Sequence, residues 1–158
     1  MKPLCVIPAR GGSKRLARKN IALLSGRPLL AWTVEAARES GIFDRVYVST
    51  EDDEIAGIAN ELGADVNVRR PRELSGDEVT NVSVSLYHYD ALAQQNRDYD
   101  AIVCLQPSSP LRNAHDIRAA WNVFKSARTD FVVSATPIDP HYCHWALERK
   151  AGGHCAMV

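Results

Sequence analysis

The stretch Leu4-Cys5-Val6-Ile7-Pro8-Ala9, followed at once by Arg10-Gly11-Gly12-Ser13-Lys14-Arg15-Leu16-Ala17-Arg18-Lys19-Asn20, decides the fold. The apolar run predicts a strand covered on both faces, and Arg-Gly-Gly predicts the turn that ends it. Pro28 then opens PLLAWTVEAARES, in which Leu29, Leu30, Val34 and Ala37 share one helical face and Gly41 is placed to close it. That spacing predicts a helix over about 28–40.

The same alternation continues outward. Arg45 to Thr50 is β-branched and aromatic and reads as a second strand. Glu51, Asp52, Asp53 and Glu54 crowd the start of the next helix, where acids suit the positive end of the dipole, and Asp52 and Asp53 read as a solvated face. Ile55, Ile58, Ala59 and Leu62 give that helix its apolar stripe, and Gly63 ends it. A short strand is expected over Asp65 to Val68. A third helix is expected over 79–95, with Val82, Leu86, Tyr89 and Ala93 facing inward, although its β-branched start reads equally as loop. Ala101 to Leu105 reads as another buried strand, Asn113 as the cap of a fourth helix through Ile117, Ala120, Trp121 and Phe124, and Phe131 to Ala135 as a further strand. Strands alternating with helices are the signature of right-handed βαβ units, so the expectation is an α/β, three-layer Rossmann-like domain with a mostly parallel sheet, spanning 1–158 as a single unit. Ligands of such sheets lie beyond the carboxyl ends of the strands, which directs attention to the loops at about 10–20, 70–81 and 106–112.

Composition narrows the function. The 158 residues carry 19 Lys+Arg against 19 Asp+Glu, and this zero formal charge excludes a protein held to nucleic acid by a general basic field. No stretch approaches the roughly 18 apolar residues of a membrane span, and the apolar N-terminal run is too short for a signal peptide. The expectation is a cytoplasmic chain whose four cysteines are reduced. His141, Cys143, His144, His154 and Cys155 do not follow the spacings of structural zinc sites and read instead as part of a hairpin, Trp145 to Arg149 with His154 to Val158.

Against that neutral background the loop 10–20 holds five cations, at 10, 14, 15, 18 and 19, and no acid. Two glycines let the main chain approach a ligand and aim amides at it, while Ser13, the lysines and the arginines supply donors to phosphate oxygens. The loop is neither a Walker A motif nor a GxGxxG dinucleotide fingerprint. Its chemistry suits a triphosphate.

Ile7-Pro8-Ala9-Arg10-Gly11-Gly12-Ser13-Lys14 with Arg18-Lys19-Asn20 resembles the opening signature of the acylneuraminate (CMP-sialic acid) cytidylyltransferases, including those that act on legionaminic and pseudaminic acid. The resemblance continues through Phe43 to Thr50, Arg70-Pro71-Arg72-Glu73-Leu74, and Gln106-Pro107-Ser108-Ser109-Pro110-Leu111-Arg112. It implies a nucleotidyltransferase fold and transfer of CMP from CTP to a nonulosonic acid, with pyrophosphate released. It further implies that Arg10, Gly11, Gly12, Ser13, Lys14, Lys19 and Asn20 surround the phosphates, with Arg10, Lys14 and Lys19 stabilising charge during transfer. Arg70, Asn81 and Gln106 are implied on the base and ribose side, with Arg69 as the alternative to Arg70 and with Asn81 standing where relatives usually carry a small hydroxyl residue.

The chain departs from the pattern at Ala17, a frequent proline, and at Arg15, a frequent glycine. The family's paired aspartates for Mg²⁺ and its arginine-bearing segment for the sugar carboxylate lie downstream of any segment present, so the sequence is expected to be a C-terminally truncated form. Mg²⁺ is implied as cofactor without metal ligands in this chain, and a homodimer as the usual assembly. Two other readings stand beside the first: an octulosonate-type nucleotidyltransferase, and a CTP-binding module without catalysis.

Overall fold

The computed structural model describes residues 1–127, 129–135, 147–149 and 155–157. The chain divides into two compact units, Met1–Asn122 and Val123–Val158. In the first, strands β1 (Pro3–Pro8), β4 (Val46–Ser49) and β5 (Ala101–Cys104) form a sheet in the order β4-β1-β5. Both pairings are parallel, with Cys5 opposite Val46 and Val103 and with Val6 opposite Tyr47 and Cys104. β1 sits in the middle and is buried along almost its whole length, as a continuous apolar strand must be.

Alternation along β1 sends its side chains into two separate cores. Cys5 and Ile7 pack with Val46 and Val48 against helices α1 (Leu29–Ser40), α2 (Asp53–Glu61) and α4 (Ala114–Ser126), through Leu30, Val34, Ala37, Ile55, Ala59 and Ile117. Leu4 and Val6 pack with Tyr47, Val68, Leu92 and Tyr99 on the other face, beneath helix α3 (Asn81–Ala93). The result is the expected three layers. Each fully buried Leu, Ile or Val contributes roughly 1.5–3 kcal/mol, so removal of either layer would unfold the sheet. Burial also pushes the Cys5 thiol well above its ordinary pKa, and both Cys5 and Cys104 are free thiols.

Helix boundaries follow from local chemistry. Asp52 caps α2 by accepting from the Ile55 N–H at 3.0 Å, and Thr80 caps α3 by accepting from Ser83 N–H at 3.0 Å. Gly41 ends α1 at φ 68°, where a side chain would be strained. Between β1 and α1 lies a small hairpin of β2 (Leu23–Leu24) and β3 (Arg27–Pro28), turned by Ser25 at φ 51° and Gly26 at φ 77°. Two consecutive positive φ angles are what a two-residue hairpin loop of matching twist requires.

Three expectations are corrected. Residues 65–68 contribute one parallel bridge, Asp65 to Tyr47, and no strand of their own. In α3 the buried residues are Val84, Ser85, His88 and Leu92, while Val82 is 67% and Leu86 48% exposed, so the helix is rotated from the face its aliphatic spacing suggested. In the second unit residues 131–135 form no strand, and Phe131 is 74% exposed. The expected hairpin there is present as β6 (Leu147–Arg149) paired antiparallel with β7 (Cys155–Met157). His141, Cys143, His144 and His154 lie outside the described residues. No helix among the described residues is long and apolar enough to cross a membrane.

His88 gives the fold a measurable signature. It is fully buried, and neither ring nitrogen has a hydrogen-bond partner among the described residues. Burial, and secondly the nearby Arg70 charge, lower its pKa from 6.5 to about 4. An unfolded chain takes up this proton near pH 6.5 while the folded chain resists until about pH 4. Stability is therefore whole above pH 6.5 and is lost as pH falls through that window, by about 3 kcal/mol for this residue. Urea unfolding of His88→Phe between pH 4 and 7 should show that slope flattened; an unchanged slope would contradict the assignment.

Candidate functional site

β1 stops at Pro8, and Ala9 is still held to the sheet by its N–H donating to the Ser49 carbonyl at 2.9 Å. The chain then leaves the sheet as the cationic loop and returns through a single 3₁₀ turn, Lys19–Ile21. Asn20, buried, donates from Nδ2 to the Arg10 carbonyl at 2.9 Å and closes the loop on itself. Arg18 takes a left-handed conformation at φ 53° where the loop doubles back.

Acids from two distant segments receive this loop. Arg18 donates to both oxygens of Asp52, at 2.5 and 3.1 Å, and also pairs with Glu54. The Arg18 pairing is the main cause holding the Asp52 carboxyl below its usual range. Glu51 accepts from the Gly11 N–H at 2.8 Å. Arg10 and Lys14 share the two oxygens of Asp77, the Arg10 contact being 2.8 Å. Lys14 first, and Arg10 second, lower the Asp77 pKa. The acidic start of α2 is thus a brace for the loop rather than a solvated face, which corrects the reading of Asp52. The Gly11 amide, expected to face a ligand, is directed at Glu51.

Beyond the carboxyl ends of β1 and β5 opens a cleft of about 190 Å³. Arg10, Ser13, Lys19, Asn20, Arg70, Asn81 and Gln106 all line it, with Pro8, Asp77 and Ser108. These are seven of the ten residues named from the sequence. The other three, Gly11, Gly12 and Lys14, line an adjoining recess that shares Arg10, Ser13, Gly76 and Asp77 with the cleft. Lys19 has no carboxylate within ion-pair distance among the described residues, which leaves its charge available inside the cleft.

Each remaining wall has its own support. Arg70 is nearly fully buried; its Nε donates to the Leu74 carbonyl at 2.8 Å and its N–H to the Thr50 carbonyl at 3.1 Å. Burial lowers the Arg70 pKa, and the Glu51 charge opposes that shift. Arg69, the alternative, turns away to the Glu51 carbonyl and the Asp53 carboxylate and is not among the lining residues. Asn81 is the first residue of α3, so the positive end of that helix meets the cleft. The Gln106 main chain is tied by Arg112, whose Nη2 donates to the Gln106 carbonyl at 3.3 Å and to Thr33 Oγ1 in α1 at 3.2 Å.

The sequence reading assigned no role to Asp77 or Arg112. Asp77 follows a resembling segment and Arg112 ends another, but which partner each meets depends on contacts across 67 and 79 residues. The assembled cleft is lined by cations, by hydroxyls and by the side-chain amides of Asn20, Asn81 and Gln106. It can hold a polyanion joined to a polar heterocycle.

The cytidylyltransferase family model matches residues 4–142. The pseudaminic acid cytidylyltransferase of Campylobacter jejuni serotype O:2 is 40% identical over 139 residues, covering 88% of this chain and 60% of that protein. The N-acylneuraminate cytidylyltransferase of Streptococcus agalactiae serotype V is 41% identical over 146 residues, covering 89% of this chain and 33% of that protein. The chain thus spans well under two thirds of the length of either relative. Among solved structures, a CMP:2-keto-3-deoxy-manno-octonic acid synthetase complexed with CTP superposes with a TM-score of 0.63 at 20% identity, over 79% of this chain and 48% of that one.

The two loop glycines should behave differently. A Cβ on Gly11 would stand 2.6 Å from Asp52 Oδ2, whereas one on Gly12 meets nothing within 4 Å. Gly11→Ala is expected to push Asp52 off Arg18 and destabilise the chain by about 1–3 kcal/mol in chemical denaturation, with Gly12→Ala close to neutral. Equal effects at the two positions would show that Asp52 does not brace the loop.

Proposed function

The chain belongs to the cytidylyltransferase family, and from that premise we propose that it binds CTP and transfers CMP to a nonulosonic acid, with release of pyrophosphate. The observation that carries this reading is the single cleft in which Arg10, Ser13, Lys19, Asn20, Arg70, Asn81 and Gln106 converge. The names of the two relatives, acting on pseudaminic and N-acylneuraminic acids, favour a nonulosonic acid over an octulosonate.

In the proposed reaction the anomeric hydroxyl oxygen of the sugar acid bonds to the α-phosphorus of CTP. The bond from that phosphorus to the pyrophosphate oxygen breaks, and the hydroxyl proton is released. Such transfer needs alignment and charge neutralisation more than covalent chemistry. Lys19 and Ser13 would hold phosphate oxygens in the cleft, while Arg10 and Lys14 would stabilise charge gathering on the departing pyrophosphate. Asn20 acts through the main chain of Arg10. Gln106 and Asn81 would read the polar edge of the base and the ribose, and Arg70, held by Leu74, would close that side.

Mg²⁺ is expected to accompany the triphosphate in this family, but the residues of the cleft do not supply a ligand set for it. Asp77 is occupied by Arg10 and Lys14, and no three His, Cys, Asp or Glu side chains converge for a metal among the described residues. The free thiols at Cys5 and Cys104 and a CTP substrate both suit a cytoplasmic setting.

Calorimetric titration with CTP, UTP, ATP and GTP tests the reading, with CTP expected to bind selectively. Lys19→Ala should weaken CTP by about 1–3 kcal/mol, the loss of one charged hydrogen bond. An unchanged CTP isotherm in that variant would remove Lys19 from the phosphate site.

A further inference from the structure

The carboxylates around the cationic loop are of two kinds. Asp52 braces the loop and also caps α2, so it has a permanent post. Asp77 caps no helix. Its two oxygens are given to Arg10 and Lys14, it lines both the cleft and the adjoining recess, and it lies on the segment between the 3₁₀ turn at Arg72–Ser75 and α3. An incoming phosphate that bonds Arg10 or Lys14 must approach to within about 5 Å of that carboxylate, where like charges repel strongly at the effective dielectric of a protein surface.

We infer that Asp77 sets the affinity of the phosphate site, as an internal anion that stands where phosphate oxygens bind and must be displaced by the ligand. The inference rests on the CTP reading proposed above and adds to it an affinity threshold that every ligand of Arg10 and Lys14 must meet. A competitor within the chain weakens by one common factor every anion that needs Arg10 and Lys14. A triphosphate nucleotide retains affinity through Lys19, Ser13 and the base-side wall, whereas inorganic phosphate has nothing further to gain and is kept out. Arg10 is not set adrift by the exchange, because its Nη1 also donates to the Ser75 carbonyl at 3.1 Å. Asp77 therefore gates charge without being needed to orient the arginine.

The test is calorimetric titration of inorganic triphosphate, and separately of CTP, into the 158-residue chain in EDTA at fixed ionic strength. Asp77→Asn keeps the shape and removes the charge. It should bind both ligands about two- to fivefold tighter, the range of a partly exposed ion pair. Asp77→Glu keeps the competing charge and should show no gain. Asp77→Ser supplies a second neutral variant, with the same gain expected, should the asparagine variant fail to fold. Equal or weaker triphosphate binding by a folded neutral variant overturns the inference and makes Asp77 a support for Arg10. The CTP reading fails on a different result, when the unsubstituted chain binds triphosphate but shows no preference for CTP; the triphosphate arm then still decides the role of Asp77. Absence of binding by either ligand to the unsubstituted chain and to both folded neutral variants overturns both.

Discussion

Three of the five cations in the eleven-residue loop, Arg10, Lys14 and Arg18, are received by acids from outside it, and the structure is organised around how that charge is met. Asp52 and Glu54 take Arg18, Glu51 takes the Gly11 amide, and Asp77 takes Arg10 and Lys14. None of these acids lies in the loop itself. They come from the loop after β4 with the start of α2, and from the segment before α3, so the cationic loop is held only when those elements are docked on the sheet. Neutralisation is also uneven. The brace on Arg18 is complete and the pairing on Arg10 is shared, while Arg15 and Lys19 have no acid within ion-pair distance among the described residues; of these two, Lys19 lines the cleft and carries its charge there.

The parallel sheet explains why the acids and cations meet. With β1 between β4 and β5, all three strands deliver their following loops to one edge. Ala9, Thr50 and Leu105 all leave the sheet there, and the hydrogen bonds of Ala9 to Ser49, Arg70 to Thr50 and Leu105 to Val6 carry the order of the sheet a residue or more into each loop. The two cores on either side fix the sheet, and the sheet fixes the cleft. Polar recognition thus rests on apolar packing that touches no ligand.

Much of this was legible in the sequence because a continuous apolar run such as Leu4–Ala9 has few structures open to it besides a buried strand. Ala101–Leu105 also supplies a strand, but β5 is only half-buried and Cys104 is exposed, which corrects the expectation that both its faces are covered. The cationic loop was legible for a similar reason, since its composition departs so far from the neutral chain around it. What was missed has particular causes. α3 carries apolar residues on several sides, and its inward face includes the polar Ser85 and His88, so aliphatic spacing selected Val82 and Leu86, which face solvent. Residues 131–135 have the β-branched composition of a strand, but composition describes fitness for a pleated surface and does not supply a partner. The Ser25–Gly26 hairpin joins strands of two residues, too short for any alternation. The tasks of Asp52, Asp77 and Arg112 depend on partners 34, 67 and 79 residues away, a distance across which spacing carries no information.

Mapping backbone amide chemical shifts during a CTP titration tests the central claim, that nucleotide binds at the carboxyl edge of the sheet. Saturable shifts should concentrate in residues 9–20, 70–81 and 105–108. A rival lies at the amino end of β4, a polar hollow of about 450 Å³ lined by Arg38, Arg45, Asn60 and Asp65. Shifts gathered there, with the cationic loop silent, would contradict the claim.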